Sequence, residues 1–233
     1  MTTTPRTVRI RPDDPRPRRR GPGRALALGA AAVVLAAGGA VAFGVATAGA
    51  LQDTTSTDVV PGVREVVVDV DEGSVAIRAG TSPDLVLRTT TIWADGSEPV
   101  VERGLVDGVL TLTSDCPALN FGCEVEQSLV VPPGTAVTVR TVEGGIEAVD
   151  LDTDRFSATS VAGAVTASFS RPPGRVRAES VGGAVHLTLP RAEYRVASSS
   201  VTGEQRIGVV HVPAAAAEVW ARTVSGSITI EPG

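Results

Sequence analysis

The strongest constraint on this chain is a motif that recurs five times in its C-terminal half. It reads "TVEGGIEAVD" from Thr141, "SVAGAVTASF" from Ser160, "SVGGAVHLTL" from Ser180, "SVTGEQRIGV" from Ser200 and "TVSGSITIEP" from Thr223. Aligned, the copies give Φ-x-small-x-Ser/Thr-Val-x-Gly-x-Φ-x-Φ, where Φ is apolar. The hydroxyl column is Thr141, Ser160, Ser180, Ser200 and Thr223. The valine column is Val142, Val161, Val181, Val201 and Val224, and the glycine column is Gly144, Gly163, Gly183, Gly203 and Gly226. Successive glycines are 19, 20, 20 and 23 residues apart. A fixed period of about 20 residues marks a repeat architecture in which each unit buries its apolar face on its neighbours. Such a motif is architecture before it is chemistry. The hydroxyls are expected to form a structural ladder, pairing with one another or with backbone, and not to act as nucleophiles.

Within each copy the apolar residues alternate. Val176, Ala178 and Ser180 share one face while Arg177 and Glu179 share the other; past the glycine, Val185, Leu187 and Leu189 alternate with His186 and Thr188. That is the period of a half-buried strand. A glycine between two such runs permits positive φ or a bulge, so the strand turns a corner. The expected fold is all-β: a parallel β-solenoid, or β-helix-like, ectodomain of coils of about 20 residues. Regular coils run from about 135 to 232. An inner column of Val139, Ala158, Ala178, Ser198 and Ala221 predicts a narrow interior. Residues 53–128 contain short β-rich runs such as "EVVVDV" and "GVLTLTSD", and "DEGSVAI" and "VDGVLTL" echo the Gly-x-Φ-x-Φ half of the motif without its Ser/Thr-Val half, as an irregular cap at a solenoid end would. One departure is Gln205, polar where other copies have Ile146, Val165, Val185 and Ile228, which predicts a coil there that is looser or slightly shifted in register.

Charge is distributed unevenly. Residues 1–24 hold eight arginines against two aspartates, net +6; the remainder holds 13 arginines against 24 acids, net −11. Between them, Ala25 to Gln52 lack any charged residue. This is longer than the roughly 20 residues needed to cross a bilayer and the ~7–15 of a secretory signal core. We read residues 25–52 as a transmembrane signal anchor, with cleavage within "ATAGA" at 46–50 as the alternative. Arg16, Arg18, Arg19, Arg20 and Arg24 flank it and predict a cytoplasmic N-terminus. The expected organisation is a disordered basic tail over 1–24, the anchor, a linker over 53–64 and an extracytoplasmic β-repeat domain over 65–233. The implied location is the cell membrane, single-pass, with the membrane itself as one partner. A nucleic-acid role for the tail is set aside, since it has no aromatics to stack bases and topology explains its charge. Outside the membrane, Cys116 and Cys123 are expected to pair as a structural disulfide.

Residues for catalysis are scarce. His186 and His211 match no metal-ligand spacing, and no glycine-rich stretch carries a P-loop lysine. The acidic turns at 69–73 ("DVDEG") and 150–154 ("DLDTD") match neither the EF-hand loop nor the nonapeptide calcium roll and read as solvated turns, with calcium the alternative. No cofactor is implied, and no enzyme.

The run "VEQSLVVPPGTAVTVRTVEGGIEAVDL" at 125–151, with the coils that follow it, resembles the bacterial putative-adhesin β-strand-repeat domain of unknown function, over about Glu65 to Pro232. That resemblance implies membrane-bound or secreted chains with glycine-marked coils and supplies no catalytic residues. The expected function is a non-enzymatic, membrane-anchored module for cell-envelope interaction that binds wall polymer or a protein partner. The alternatives are an envelope-sensing accessory protein and a glycan-acting hydrolase or lyase. A binding face is expected as a continuous outward strip such as Arg140, Thr159, Arg177, Ala197 and Trp220.

Overall fold

Alternating apolar and polar side chains suit a pleated strand with one dry face. In a computed structural model of the protein, which describes residues 51–94, 98–117 and 122–233, all the regular elements among the described residues are strands. The N-terminal half supplies β1 (Gln52–Val60), β2 (Glu65–Glu72), β3 (Val75–Ala79), β4 (Leu85–Trp93), β5 (Val100–Val106), β6 (Val109–Asp115) and β7 (Glu124–Val131). Each motif copy then supplies two strands around its glycine. These are β8 (Ala136–Glu143) and β9 (Ile146–Leu151), β10 (Arg155–Ser160) and β11 (Val165–Phe169), and β12 (Arg175–Ser180) and β13 (Val185–Leu189). The fourth copy forms β14 (Glu193–Ser200) and β15 (Gln205–Ile207), with the short β16 (Val210–His211) after it, and the fifth forms β17 (Glu218–Thr223) and β18 (Ile228–Pro232).

The strands form two nine-stranded sheets. Sheet I has the order β1-β4-β7-β3-β9-β11-β13-β18-β15, and sheet II the order β16-β14-β17-β12-β10-β8-β2-β6-β5. Every motif copy places its first strand in sheet II and its second in sheet I. Copies pair in parallel and in register, so like residues stack: Val139 on Ala158, Ala158 on Ala178, Ala178 on Ala221, and Ala221 on Ser198. Buried side chains from both sheets make a single core, with Phe156 and Phe169 meeting edge to face at 5.5 Å between ring centroids.

Three expectations change. First, the stack does not follow chain order. The fifth copy inserts between the third and fourth, so β17 separates β12 from β14 and β18 separates β13 from β15. Antiparallel pairs β1–β4, β4–β7 and β5–β6 close the N-terminal side. Two mixed, open sheets, not a purely parallel stack in sequence order, are the observed architecture. Second, most of the expected linker is a strand: Gln52–Val60 pairs antiparallel with β4 along its whole length. Its sequence, "QDTTSTDVV", is polar because this edge strand is largely exposed. Third, β2 and β3 make a further complete unit, of which only the glycine half, "DEGSVAI", is legible in the sequence. Its corner is Gly73, and Val70 occupies the hydroxyl column beside Thr141. An apolar residue in that column hid the other half.

The expected anchor at 25–52, apart from its last two residues, and the basic tail lie outside the described residues. Among the described residues no helix is long and apolar enough to cross a membrane.

Candidate binding face

The motif explains itself at the corner between the sheets. Ser180 Oγ donates to Gly163 O at 2.8 Å and accepts from Gly183 N–H at 2.8 Å. Ser160 does the same with Gly144 O and Gly163 N–H, and Ser200 with Gly226 O and Gly203 N–H. Thr223 Oγ1 donates to Gly183 O at 2.8 Å, while Thr141 Oγ1 donates to the carbonyl of its own glycine, Gly144. The hydroxyls therefore pair with backbone and not with each other. They satisfy corner groups that the sheet ladders leave free.

The glycines are needed for close approach more than for unusual φ. Gly73 and Gly144 have φ of 134° and 145°. The other motif glycines do not have positive φ, yet a Cβ on any of them would overlap the backbone of the next corner: Gly163 on Gly144, Gly183 on Gly163, Gly226 on Gly183 and Gly203 on Gly226. The valine column lies just outside this corner and is exposed, from 39% at Val224 to 69% at Val201. Those valines are absent from the core, and their apolar character has no account in the packing.

The outward face of sheet II is where polar chemistry gathers. Parallel register aligns it in three rows. The first row is Arg155, Arg175, Glu218 and Arg195; the second is Thr138, Ser157, Arg177, Trp220 and Ala197; the third is Arg140, Thr159, Glu179, Arg222 and Ser199. The strip expected from sequence is thus divided: Arg140 and Thr159 lie in one row, while Arg177, Trp220 and Ala197 lie in its neighbour. Both rows occupy the same face. The first row was missed, although arginine falls five residues before the hydroxyl in three copies, at Arg155, Arg175 and Arg195. All six arginines of these rows are exposed.

Their orientations are set locally. The Arg177 guanidinium carbon sits 4.2 Å from the Trp220 ring centroid, a cation–π contact between in-register neighbours, and Arg177 also pairs with Glu179. Glu218 bridges two arginines, holding Arg175 at 3.3 Å through Oε2 and Arg195 through Oε1. Six arginines against two glutamates make these rows net +4. The same rows continue on the N-terminal side onto Glu65, Asp69 and Glu102. The matching outward positions of sheet I include Glu147 and Glu231 against Arg206.

Other candidates are placed elsewhere. Cys116 and Cys123 are disulfide-bonded, with Cα atoms 5.9 Å apart. Asp152 of the second acidic turn pairs with Arg171 at 2.7 Å, and among the described residues no three His, Cys, Asp or Glu side chains gather to hold a metal. His186 Nε2 lies 3.0 Å from Glu231 on sheet I, and His211 Nδ1 accepts from Val196 N–H at 3.1 Å on the far edge of sheet II. Tyr194 is fully buried and donates to Pro190 O at 2.8 Å; desolvation holds its phenol above the ordinary tyrosine range. It is a core residue. The arginines expected to set topology, Arg16, Arg18, Arg19, Arg20 and Arg24, lie outside the described residues.

An all-β repeat protein with a polar outer face and a glycine-pinned corner is the class these features define. A solved structure of a putative cell adhesion protein from Clostridium sporogenes has the same fold: 14% identity, 78% of this chain and 100% of that one covered, TM-score 0.58. Putative adhesins from Bacteroides fragilis (14% identity, 78% and 97% covered, TM-score 0.32) and Parabacteroides merdae (13%, 78% and 82%, TM-score 0.38) superpose too loosely to carry an argument. The sequence matches no protein-family model and no curated protein.

Proposed function

We propose that the protein is a non-enzymatic cell-envelope interaction module, held outside the membrane by the anchor at 25–52. On this reading its ectodomain is a two-sheet solenoid, with the fourth copy and the antiparallel strands as its two ends, and it binds wall polymer or an envelope protein. The observation that carries the reading is the repeat end of the outer face of sheet II, where β8, β10, β12, β17 and β14 set six arginines against Glu179, Glu193 and Glu218, net +3, on a chain whose residues 25–233 sum to −11. Segregated charge of this kind favours association with a partner of opposite sign. The adhesion label of the Clostridium sporogenes neighbour is in keeping with it, at the level of fold.

Co-sedimentation of the purified protein with native cell-wall particles, with and without calcium, tests the proposal. Saturable binding is the expected result, and it is expected in both buffers. No binding in either would remove the wall-binding reading and turn the search to membrane proteins.

A further inference from the structure

We propose that the outer face of sheet II takes an extended polyanion, a chain bearing phosphate or carboxylate groups at short intervals, laid across β8, β10, β12, β17 and β14. This rests on the envelope-binding reading above and names the chemistry of the ligand. Charge is segregated against the sum of the domain. Of the 13 arginines after residue 24, six lie on the outward side of these five strands against three glutamates, Glu179, Glu193 and Glu218, while Glu65, Asp69 and Glu102 lie beyond them on β2 and β5. Neighbouring strands stand about 4.8 Å apart and alternate residues about 7 Å along a strand. Arg155 reaches Glu65 only at 3.8 Å, and Arg140 and Arg222 carry no ion pair among the described residues, so positive charge is left over on these strands for an anion laid across the rows to neutralise.

Glu218 and Glu179 orient the face without filling it. Glu218 fixes Arg175 and Arg195 with one oxygen each, and Arg177 is held between Trp220 and Glu179. A guanidinium has five N–H donors in a planar fork, so one carboxylate partner leaves donors for a second anion. Arg140 and Arg222 have no ion-pair partner among the described residues.

The shape of the face selects a long ligand over a compact one. One concavity is lined by β3, β4 and β7 residues of sheet I; another, lined by Asp69, Asp71, Glu102 and Asp115, lies on β2, β5 and β6, beyond the arginine-bearing strands and of the wrong sign for an anion. A bilayer is a poorer match than a polymer. Trp220 is the one aromatic in the rows, and the five exposed motif valines stand at the corner, outside the rows.

The test measures binding of the full-length chain, in detergent micelles, to inorganic polyphosphate, a linear uronic-acid polymer, neutral dextran and phosphatidylglycerol vesicles. Saturable binding to at least one polyanion and none to dextran is expected. That binding weakens about tenfold or more between roughly 50 and 200 mM salt, as counterion release requires. Which polyanion is preferred tells phosphate from carboxylate. The double variant R140A/R222A removes two guanidiniums without orphaning a carboxylate, and binds about tenfold more weakly with unchanged thermal unfolding. E147Q on sheet I leaves binding unchanged. Lack of polyanion binding at low salt, equal binding by R140A/R222A, or binding to vesicles without binding to polymer would each overturn the proposal. If R140A/R222A still sediments fully with wall particles, the polyanion fails while the envelope reading stands. If the unsubstituted protein does not sediment with them, the envelope reading itself fails.

Discussion

The repeat half and the N-terminal half line one core by different means. From β8 to β18, equivalent residues stack on each other across parallel strands, and each corner is tied to the next by a hydroxyl-to-carbonyl bond. From β1 to β7, long antiparallel partners replace the ladder, and a disulfide closes the segment between β6 and β7. The hydroxyl column makes the contrast sharp. Ser180 sits inside the stack with both its hydrogen bonds made. Ser114, in register with Val70 at the other end of the same column, is 6% exposed and its Oγ has no partner. The motif hydroxyls thus find backbone partners at a glycine corner, whereas Ser114 lies on β6, which leads into the disulfide-closed segment instead of such a corner.

The largest break in this contrast is expected from the glycines. G183A places a Cβ on the Gly163 carbonyl, which belongs to backbone and has no rotamer with which to yield. We expect a loss of about 3 kcal/mol or more in denaturant unfolding. G104A, on the N-terminal strand β5 where nothing lies within 4 Å of the added carbon, is expected to stay within about 0.5 kcal/mol. Equal effects would mean that the corner spacing is not the constraint. Next in size, C116S/C123S removes the N-terminal tie and should cost about 2–3 kcal/mol by loop-closure entropy. In hydrogen exchange, its effect should concentrate on β6 and β7 and spare β12 and β13.

Smaller still is the paired test of the column. S180A strands the Gly163 carbonyl and the Gly183 N–H and should cost about 1–3 kcal/mol. S114A removes a buried hydroxyl that bonds to nothing and should be neutral or slightly stabilising. A large cost for S114A would reveal a hidden partner and weaken the distinction between stack and end. The smallest effect concerns Tyr194. Its phenol is raised by burial, so the neutral form is the folded form: the associated stability is full below about pH 10 and fades as pH rises through the folded value. Y194F should lose about 0.5–1.5 kcal/mol near neutrality through the missing bond to Pro190 O. It should also show less alkaline destabilisation than the unsubstituted protein when unfolding is followed from pH 8 to 11.

Much of the repeat was legible in the sequence. Period, strand alternation and the inward column follow from spacing alone, because a pleated strand has no other way to bury every second side chain. The glycine requirement was legible too, but not its cause: nothing in a single copy tells that the next corner lies against the missing Cβ. Gln205 was read as a loose or slightly shifted coil and has a plainer reason. It lies on β15, the exposed edge of sheet I, and accepts a hydrogen bond from Ser198 Oγ at 2.8 Å; the two polar residues finish columns that are apolar further in. The binding strip was seen on the correct face but blurred across two rows, since a two-residue slip keeps a side chain on the same face of a strand.

By itself, then, the sequence determined that this region is built of strands, where each copy turns and which side chains face inward. Those are local matters of period and of residue size. The order of stacking was decided only in the tertiary structure. All five copies present similar edges, so the motif does not dictate which copy lies beside which; the insertion of β17–β18 ahead of β14–β15 puts the apolar Ile228 and Ile230 inside and leaves Gln205 at the rim. The six-arginine face was likewise settled only there. Arg140 and Arg222 are far apart in the chain, and parallel register alone brings them into one row.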